Sequence, residues 1–285
     1  MRPGQNAMKR LVRMALAEDA PWGDVTSQTL IPASTRMTAE LVAREPGVLC
    51  GKDLFTAAMA MTDKTIVTEF HVEDTERFEK GMVLARVHGP ARSVLQAERV
   101  ALNFAQRMSG VATLTARYVS ETAGTKARIV DTRKTTPGFR ELERYAVRCG
   151  GGNNHRFSLS DAVLAKDNHL AVLTANGSRD LTEALREVRS RLPHTMHLEV
   201  EVDRADQIDA VLSAGVDTIM LDNFTTEALR AAVNRIAGRA IVEASGGIKL
   251  ESIREIAATG VDVISVGALT HSVRALDLAL DAAVL

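Results

Sequence analysis

The chain has only two cysteines in 285 residues, Cys50 and Cys149, and no C-x-x-C pair. That count excludes a disulfide-stapled framework, and the two thiols read as buried or idle in a reducing compartment. Charge of one sign is also lacking. The formal net charge is −1, so no global field draws in nucleic acid or an anionic membrane. No apolar run approaches the about 20 residues needed to cross a bilayer. Lys9, Arg10 and Arg13 are not followed by an apolar stretch, so a secretory leader is not expected. Neither G-x-G-x-x-G nor G-x-x-x-x-G-K-S/T occurs, which counts against a Rossmann or P-loop nucleotide site. There is no His/Cys set at zinc spacing and no G-x-S-x-G turn, so no residue is assigned as a resident metal ligand. What is left is a soluble, cytoplasmic protein with 46% apolar and 25% charged residues, long enough for one large domain or two.

From about Arg128 onward, short apolar runs alternate with helical patterns. The runs cover 127–131, 162–166, 197–202, 218–222, 240–245 and 261–267. Strands alternating with helices predict βα units around a parallel sheet. A-G-V-D-T-I-M-L-D-N (214–223) resembles T-G-V-D-V-I-S-V-G-A (259–268). This weak repeat suits a closed α/β barrel better than an open sheet. Before about residue 111 the alternation in M-T-A-E-L-V-A, T-I-V-T-E-F and M-V-L-A-R-V-H-G predicts antiparallel strands. Two helices are expected next, from Ala91 to about Met108 and from Val111 to Thr122, separated at Ser109-Gly110.

Polar residues collect at the predicted strand ends: Arg133-Lys134, Lys166-Asp167-Asn168, Glu199 and Glu201, Asp222-Asn223, Glu243 and Ser245, and Ser265. In α/β barrels that rim carries the active site. Glu199 and Glu201 are two apart, so both point to one side, and Leu198, Val200 and Val202 then face the helices. Five potential cations (Arg133, Lys134, His155, Arg156 and Lys166) sit on short turns between Asp131 and His169, in D-T-R-K-T-T-P-G, G-G-G-N-N-H-R and K-D-N-H. Cations converging from several loops suit a multiply anionic small molecule. The glycine turns A-S-G-G (244–247) and V-G-A-L-T-H-S (266–272) each lie between a strand and a helix, where backbone N–H groups bind phosphate. Cations for an aromatic diacid, carboxylates for a sugar and glycine turns for a phosphate together describe phosphoribosyl transfer.

Over nearly its whole length the chain resembles the quinolinate phosphoribosyltransferases. The resemblance rests on E-D-A-P-W-G-D-V-T-S (18–27), A-E-R-V-A-L-N-F-A-Q-R-M-S-G-V-A-T (97–113), the three central motifs and V-G-A-L-T-H-S. It implies an open seven-stranded α/β barrel at 112–272 and a smaller N-terminal α+β domain at 1–111, with a C-terminal helix at 273–285 packed on the latter. It also implies a homodimer with shared active sites. Carried over by position, Arg133, His155, Arg156 and Lys166 would bind the quinolinate carboxylates, with Arg99 arriving from the partner subunit. Lys134 would contact phosphoribosyl pyrophosphate, and Glu201 and Asp222 would hold the ribose hydroxyls and the Mg²⁺-linked region. Ser245, Gly246, Gly247, Gly267 and His271 would line the 5′-phosphate pocket. Asn153 and Ala165 depart from the family's usual histidine and isoleucine. The implied reaction joins quinolinate to phosphoribosyl pyrophosphate and releases pyrophosphate and CO₂, giving nicotinate mononucleotide for NAD synthesis.

Blander roles stay open for several residues. Trp22 reads as a core or interface anchor, His169 as a cap on the Lys166 turn, and Glu199 as a structural ion-pair partner. Arg140, Arg144 and Arg148, with Glu141 and Glu143, read mainly as a solvated helix face. Four rival functions remain: a transferase acting on nicotinate, a paralogue with another ligand, a Schiff-base aldolase using Lys166, and a phosphate-ligand sensor.

Overall fold

The computed structural model describes residues 2–175 and 177–282, which form two compact units. The first gathers the described parts of 1–116, 136–151 and 272–285; the second comprises 117–135 and 152–271. The units are therefore not two consecutive stretches of chain.

In the first unit, helices α1 (Gln5–Asp19) and α2 (Val25–Leu30) precede β1 (Arg36–Ala43), β2 (Gly47–Val48) and α3 (Lys52–Thr62). Then come β3 (Val67–Phe70), β4 (Arg77–Phe78), β5 (Val83–Pro90), α4 (Ala91–Ser120) and, after the chain has visited the second unit, α5 (Arg140–Cys149). Along β1 the alternate residues Ala39, Leu41 and Ala43 are buried, as a half-buried strand requires. β5 pairs with one edge of β1, and β3 with β5.

The other edge of β1 corrects the expected C-terminal helix. Leu278–Ala282 is a strand, antiparallel to β1, with Leu278 opposite Ala43 and Ala282 opposite Ala39. The β1 edge needs backbone partners, and this segment supplies them. Residues 283–285 lie outside the described residues. The expected break at Ser109-Gly110 is likewise absent, because α4 runs unbroken for 30 residues. Gly110 is there for close approach, since a Cβ would lie 2.2 Å from the Arg274 carbonyl oxygen. Ser109 turns its hydroxyl to both the N–H and the carbonyl of Cys50.

Two further expectations change. Trp22 is 91% exposed, which excludes the core role and leaves the interface one of the two expected. Glu143 is fully buried rather than on a solvated face. It accepts from Arg107 Nη2 (2.6 Å), Thr136 Oγ1 (2.9 Å) and Thr136 N (3.0 Å). Removing one member of a buried pair strands the other, so Glu143→Ala should lower stability by about 3–5 kcal/mol, measured by urea unfolding.

The second unit follows the expected alternation: β6 (Arg128–Val130), β7 (Val163–Ala165), α6 (Asp167–Leu173), α7 (Leu181–Arg191), β8 (Leu198–Val202) and α8 (Ile208–Ser213). It continues through β9 (Thr218–Asp222), α9 (Thr226–Ile236), β10 (Ile241–Ser245), α10 (Ile253–Ala257), β11 (Val263–Ser265) and α11 (Ala268–His271). The sheet order is β6-β11-β10-β9-β8-β7, all pairs parallel. A parallel bridge from Val130 to Asn153 supplies a seventh position beside β6. Among the described residues nothing pairs β7 with that segment, so the barrel-like sheet is open there. No described helix is long and apolar enough to cross a membrane.

The sequence repeat has a structural cause. Gly215 and Gly260 take positive φ after α8 and α10, where a left-handed residue ends a helix. The aspartate two residues later then accepts a backbone N–H from the neighbouring strand: Asp217 from Leu198 (2.7 Å) and Asp262 from Val242 (2.9 Å). Asp217 also holds Arg189 through Nη1 (2.6 Å) and Nη2 (3.1 Å). Burial alone would raise the Asp217 carboxyl, but Arg189 and the Leu198 N–H outweigh it and keep it below the ordinary carboxylate range. Its contribution is therefore complete at neutral pH and is lost as pH falls through the depressed folded-state value. Asp217→Asn should cost about 1.5–3 kcal/mol at neutral pH, the scale of charged hydrogen bonds. Thermal unfolding across the acid range should show the gap to the wild type closing as pH falls.

Candidate active site

Parallel register brings the strand ends to one cavity. Glu201 and Glu243 both pair with Met220, and Ser245 pairs with Asp222. All five, with Leu164 and Lys166 from the end of β7 and Ser265 from β11, line a cavity of about 410 Å³. That volume is in the range of small-molecule sites.

The cations arrive on turns pinned by the sheet. Asp131, fully buried after β6, accepts from the Asn154 side chain (2.6 Å) and the His155 N–H (2.7 Å). Asn153 N donates to the Ile129 carbonyl (2.8 Å) and its own carbonyl accepts from Asp131 N (3.2 Å). The N-N-H-R turn is thus an extension of the sheet rather than a loose loop. Arg156 Nη1 donates to the Ala162 carbonyl (3.0 Å), which aligns the guanidinium with the approach to β7. Arg133, Lys134, His155, Arg156 and Lys166 all line the cavity.

Two of these cationic positions are already matched by carboxylates. Lys166 Nζ pairs with Glu201, and His169 Nδ1 accepts the Lys166 N–H (3.0 Å), so His169 does cap the turn. His155 Nε2 lies 3.3 Å from Glu199 and 3.4 Å from Glu243, both buried. Nδ1 of the same ring lies 2.7 Å from the Arg156 backbone nitrogen. Burial opposes charge on the ring, while the two glutamates pull its proton affinity upward. The glutamates outweigh burial and push the ring up to about 10, so at neutral pH it is charged, with Nε2–H facing the acids. Burial, with Glu243 beside it, raises the Glu199 carboxyl, while the His155 ring pulls it down in part. Glu199 is therefore an ion-pair partner of His155. Both ring nitrogens of His155 face protein groups, so the ring braces the wall as well as lining it.

The opposite end is built from glycines. Gly246 has φ +86°, and a Cβ there would lie 2.3 Å from Asn223 Oδ1. Asn223, itself at φ +58°, donates its N–H to the Ser245 carbonyl (2.9 Å) and its side-chain amide to Asp222 Oδ2 (2.7 Å). Gly247 also has positive φ, +59°. A Cβ on Gly267 would lie 3.0 Å from the His271 ring and 3.3 Å from Lys134 Cδ, so Gly267, His271 and Lys134 converge. Thr270 Oγ1 holds the Lys134 carbonyl (2.7 Å). This end combines backbone amides with one lysine, a suitable receiver for a phosphate.

The family models for the quinolinate phosphoribosyl transferase N-terminal and C-terminal domains match residues 24–109 and 111–281. The chain belongs to this family. It is 45% identical to the nicotinate-nucleotide pyrophosphorylase [carboxylating] of Mycobacterium leprae, covering 97% of each chain. It is 39% identical to the quinolinate phosphoribosyltransferase [decarboxylating] 2b of Nicotiana tabacum, covering 96% of this chain and 81% of the other. Among solved structures, the nicotinate-nucleotide pyrophosphorylase of Francisella tularensis aligns with TM-score 0.91 at 39% identity, covering 98% of this chain and 97% of that one. The family is one of phosphoribosyltransferases, and the chain is an enzyme of that class.

Most of the expected residues meet in one place. Arg133, Lys134, His155, Arg156, Lys166, Glu201, Asp222, Ser245 and Gly246 line the cavity. Gly247 and His271 lie one residue beyond Gly246 and beside Gly267, respectively. Arg99 is exposed on α4 in the first unit and is not among the residues lining this cavity. Glu243 was legible as a strand-end acid, but not its role beside His155. The available signal was its spacing of two from Ser245, which puts both on one face. Gly246→Ala should leave the protein folded by circular dichroism while displacing Asn223 and Asp222. We expect a rise of about tenfold or more in KM for the phosphate-bearing substrate, the scale of one lost hydrogen bond to a charged group.

Proposed function

We propose that this cavity transfers phosphoribosyl from 5-phosphoribosyl-1-pyrophosphate to quinolinate with loss of CO₂, giving nicotinate mononucleotide and pyrophosphate. The observation that carries this reading is the make-up of one cavity, lined by Arg133, Lys134, Arg156 and Lys166, by the carboxylates of Glu201 and Asp222, and by the glycine turn at Gly246.

Arg133 and Arg156 clamp the two carboxylates of the pyridine, and Lys166 adds charge from a position oriented by Glu201. Held this way, the ring nitrogen faces C1 of the ribose, and proximity supplies much of the rate. As the C1–oxygen bond to pyrophosphate breaks, positive charge grows on the ribose. Glu201 and Asp222 stabilise it as fixed dipoles and charges that need no reorganisation. The new N–C1 bond makes the ring nitrogen cationic. The C2–carboxylate bond then breaks, CO₂ leaves, and its electron pair remains at C2 beside that cation until a proton arrives. Magnesium carried by the pyrophosphate substrate would supply charge to neutralise the leaving group. The half-buried Asp222 carboxylate is the hard oxygen donor suited to face that complex. We place the enzyme in the cytoplasm as a homodimer, with Arg99 serving the partner's site.

Purified protein with quinolinate, phosphoribosyl pyrophosphate and Mg²⁺ should release CO₂ and nicotinate mononucleotide in equal amounts, with nicotinate inert in parallel. Turnover of nicotinate instead, or ligand binding without product, would reject the assignment. Arg133→Ala and Arg156→Ala should each raise KM for quinolinate by about 10- to 150-fold, corresponding to about 1.5–3 kcal/mol per lost charged hydrogen bond. Unchanged quinolinate affinity in both variants would remove the proposed clamp.

A further inference from the structure

Cys50 and Cys149, far apart in sequence, are brought together in the first unit. Their sulfurs and a carboxylate oxygen of Asp74 lie within 4.8 Å of one another. Three separate segments supply them: the turn before α3, the loop after β3 and the end of α5. Tyr145, one helical turn before Cys149, donates its hydroxyl to Asp74 Oδ2 (2.8 Å) and also reaches the Cys149 sulfur. Cys50 hydrogen-bonds the Cys149 sulfur as well. Asp74 Oδ1 accepts the Lys52 N–H (3.2 Å). The groups thus form one compact cluster of Cys50, Cys149, Tyr145 and Asp74.

The cluster is polarised. Cys50 is wholly buried, and burial pushes its thiol well above the ordinary value. Cys149 is 6% exposed, and the hydrogen bond from Cys50, joined by Tyr145, lowers its thiol despite burial. Asp74 is partly exposed, and burial raises its carboxyl and suits it to take a proton. Asp53 on α3 and Arg2 are the other charged groups facing the cluster. A thiolate-and-carboxylate set could also hold a soft cation. Here, however, the carboxylate oxygens already accept from Tyr145 and Lys52, and the two thiols bond each other, an arrangement that favours dithiol chemistry.

We propose that Cys50 and Cys149 are a reversible disulfide site, in which Cys149 meets a hydroperoxide and Cys50 resolves it. Cys149 passes its proton through Tyr145 to Asp74. The thiolate attacks one peroxide oxygen, the O–O bond breaks, and the departing oxygen takes up that proton as water or alcohol. Cys149 is then a sulfenic acid. The Cys50 sulfur attacks it, the S–S bond forms, and the hydroxyl leaves as water with the Cys50 proton. Two thiols and one hydroperoxide become one disulfide, one alcohol or water, and one further water.

Hydrogen peroxide is added to the native full-length protein, followed by thiol counting after denaturation and by intact and peptide mass analysis. Both thiols should disappear together, the mass should fall by two hydrogens, and dithiothreitol should restore them. Cys50→Ser should stop at a sulfenic acid on Cys149, captured by dimedone. Asp74→Asn and the better-packed Tyr145→Phe should slow oxidation roughly tenfold or more near neutral pH, with the rate recovering as pH rises. A purely structural role for these two residues would give no such recovery. The proposal is overturned if both native thiols resist peroxide that oxidises an exposed thiol. Crosslinks only between chains, overoxidation of Cys149 without a crosslink, or stoichiometric zinc held by the two thiols would reject it equally.

Discussion

Everything at the site depends on the in-register parallel pairing of β8, β9 and β10. With Glu201 beside Met220 and Asp222 beside Ser245, alternate residues at three strand ends face one cavity. Because side chains alternate with a period of two, a slip of one residue would turn Glu201, Asp222 and Ser245 toward the helices together. It would also drive Val200 and Leu221, both fully buried, toward the cavity. Apolar packing on the helix-facing side therefore enforces the placement of the polar residues opposite. The chemistry needs no separate positioning device along these strands.

The turns do need one, and it is built from buried acids. Asp131 uses its two carboxylate oxygens on the His155 N–H and the Asn154 side chain, which ties the N-N-H-R turn to the end of β6. Glu199 and Glu243 then hold the far side of the His155 ring. Three buried carboxylates around one cationic turn would be unfavourable if left unpartnered. Here they draw Arg156 and its neighbours into place from loops that lack a hydrophobic anchor of their own. Recognition of an anion thus rests on an inner layer of acids that the ligand need not touch.

How much of this was legible follows from range. The second-unit strands were readable because each is a short, nearly continuous apolar run, and the parity of Glu199 and Glu201 follows from strand geometry alone. Local signals failed where a distant segment decided the outcome. Gly110 looks like a break, yet it allows the Arg274 backbone to approach an unbroken helix. L-A-L-D-A reads equally as a helix or a strand until β1 offers an unpaired edge. Glu143 shares its helix with Arg140, Arg144 and Arg148 but turns to Arg107 and Thr136. Cys50 and Cys149 carry no mutual signal in sequence, since their meeting depends on where α5 docks within the first unit.

The internal repeat shows how one pattern divides stability from chemistry. In both copies a left-handed glycine ends a helix, and an aspartate then spends its carboxylate on a backbone N–H of the adjacent strand. A few residues later each strand ends in a polar group, Asp222 or Ser265, that faces the cavity. The entry aspartates cannot serve the cavity, because they sit at the opposite ends of the strands. The exit residues are the last rungs of the ladder, Asp222 opposite Ser245 and Ser265 opposite Val130, with their side chains left to the cavity. The exit positions can therefore be occupied by groups chosen for charge, such as Asp222, while the entry positions stay committed to folding. This separation lets a barrel-like sheet hold several charged and polar groups at one rim without losing register at the other.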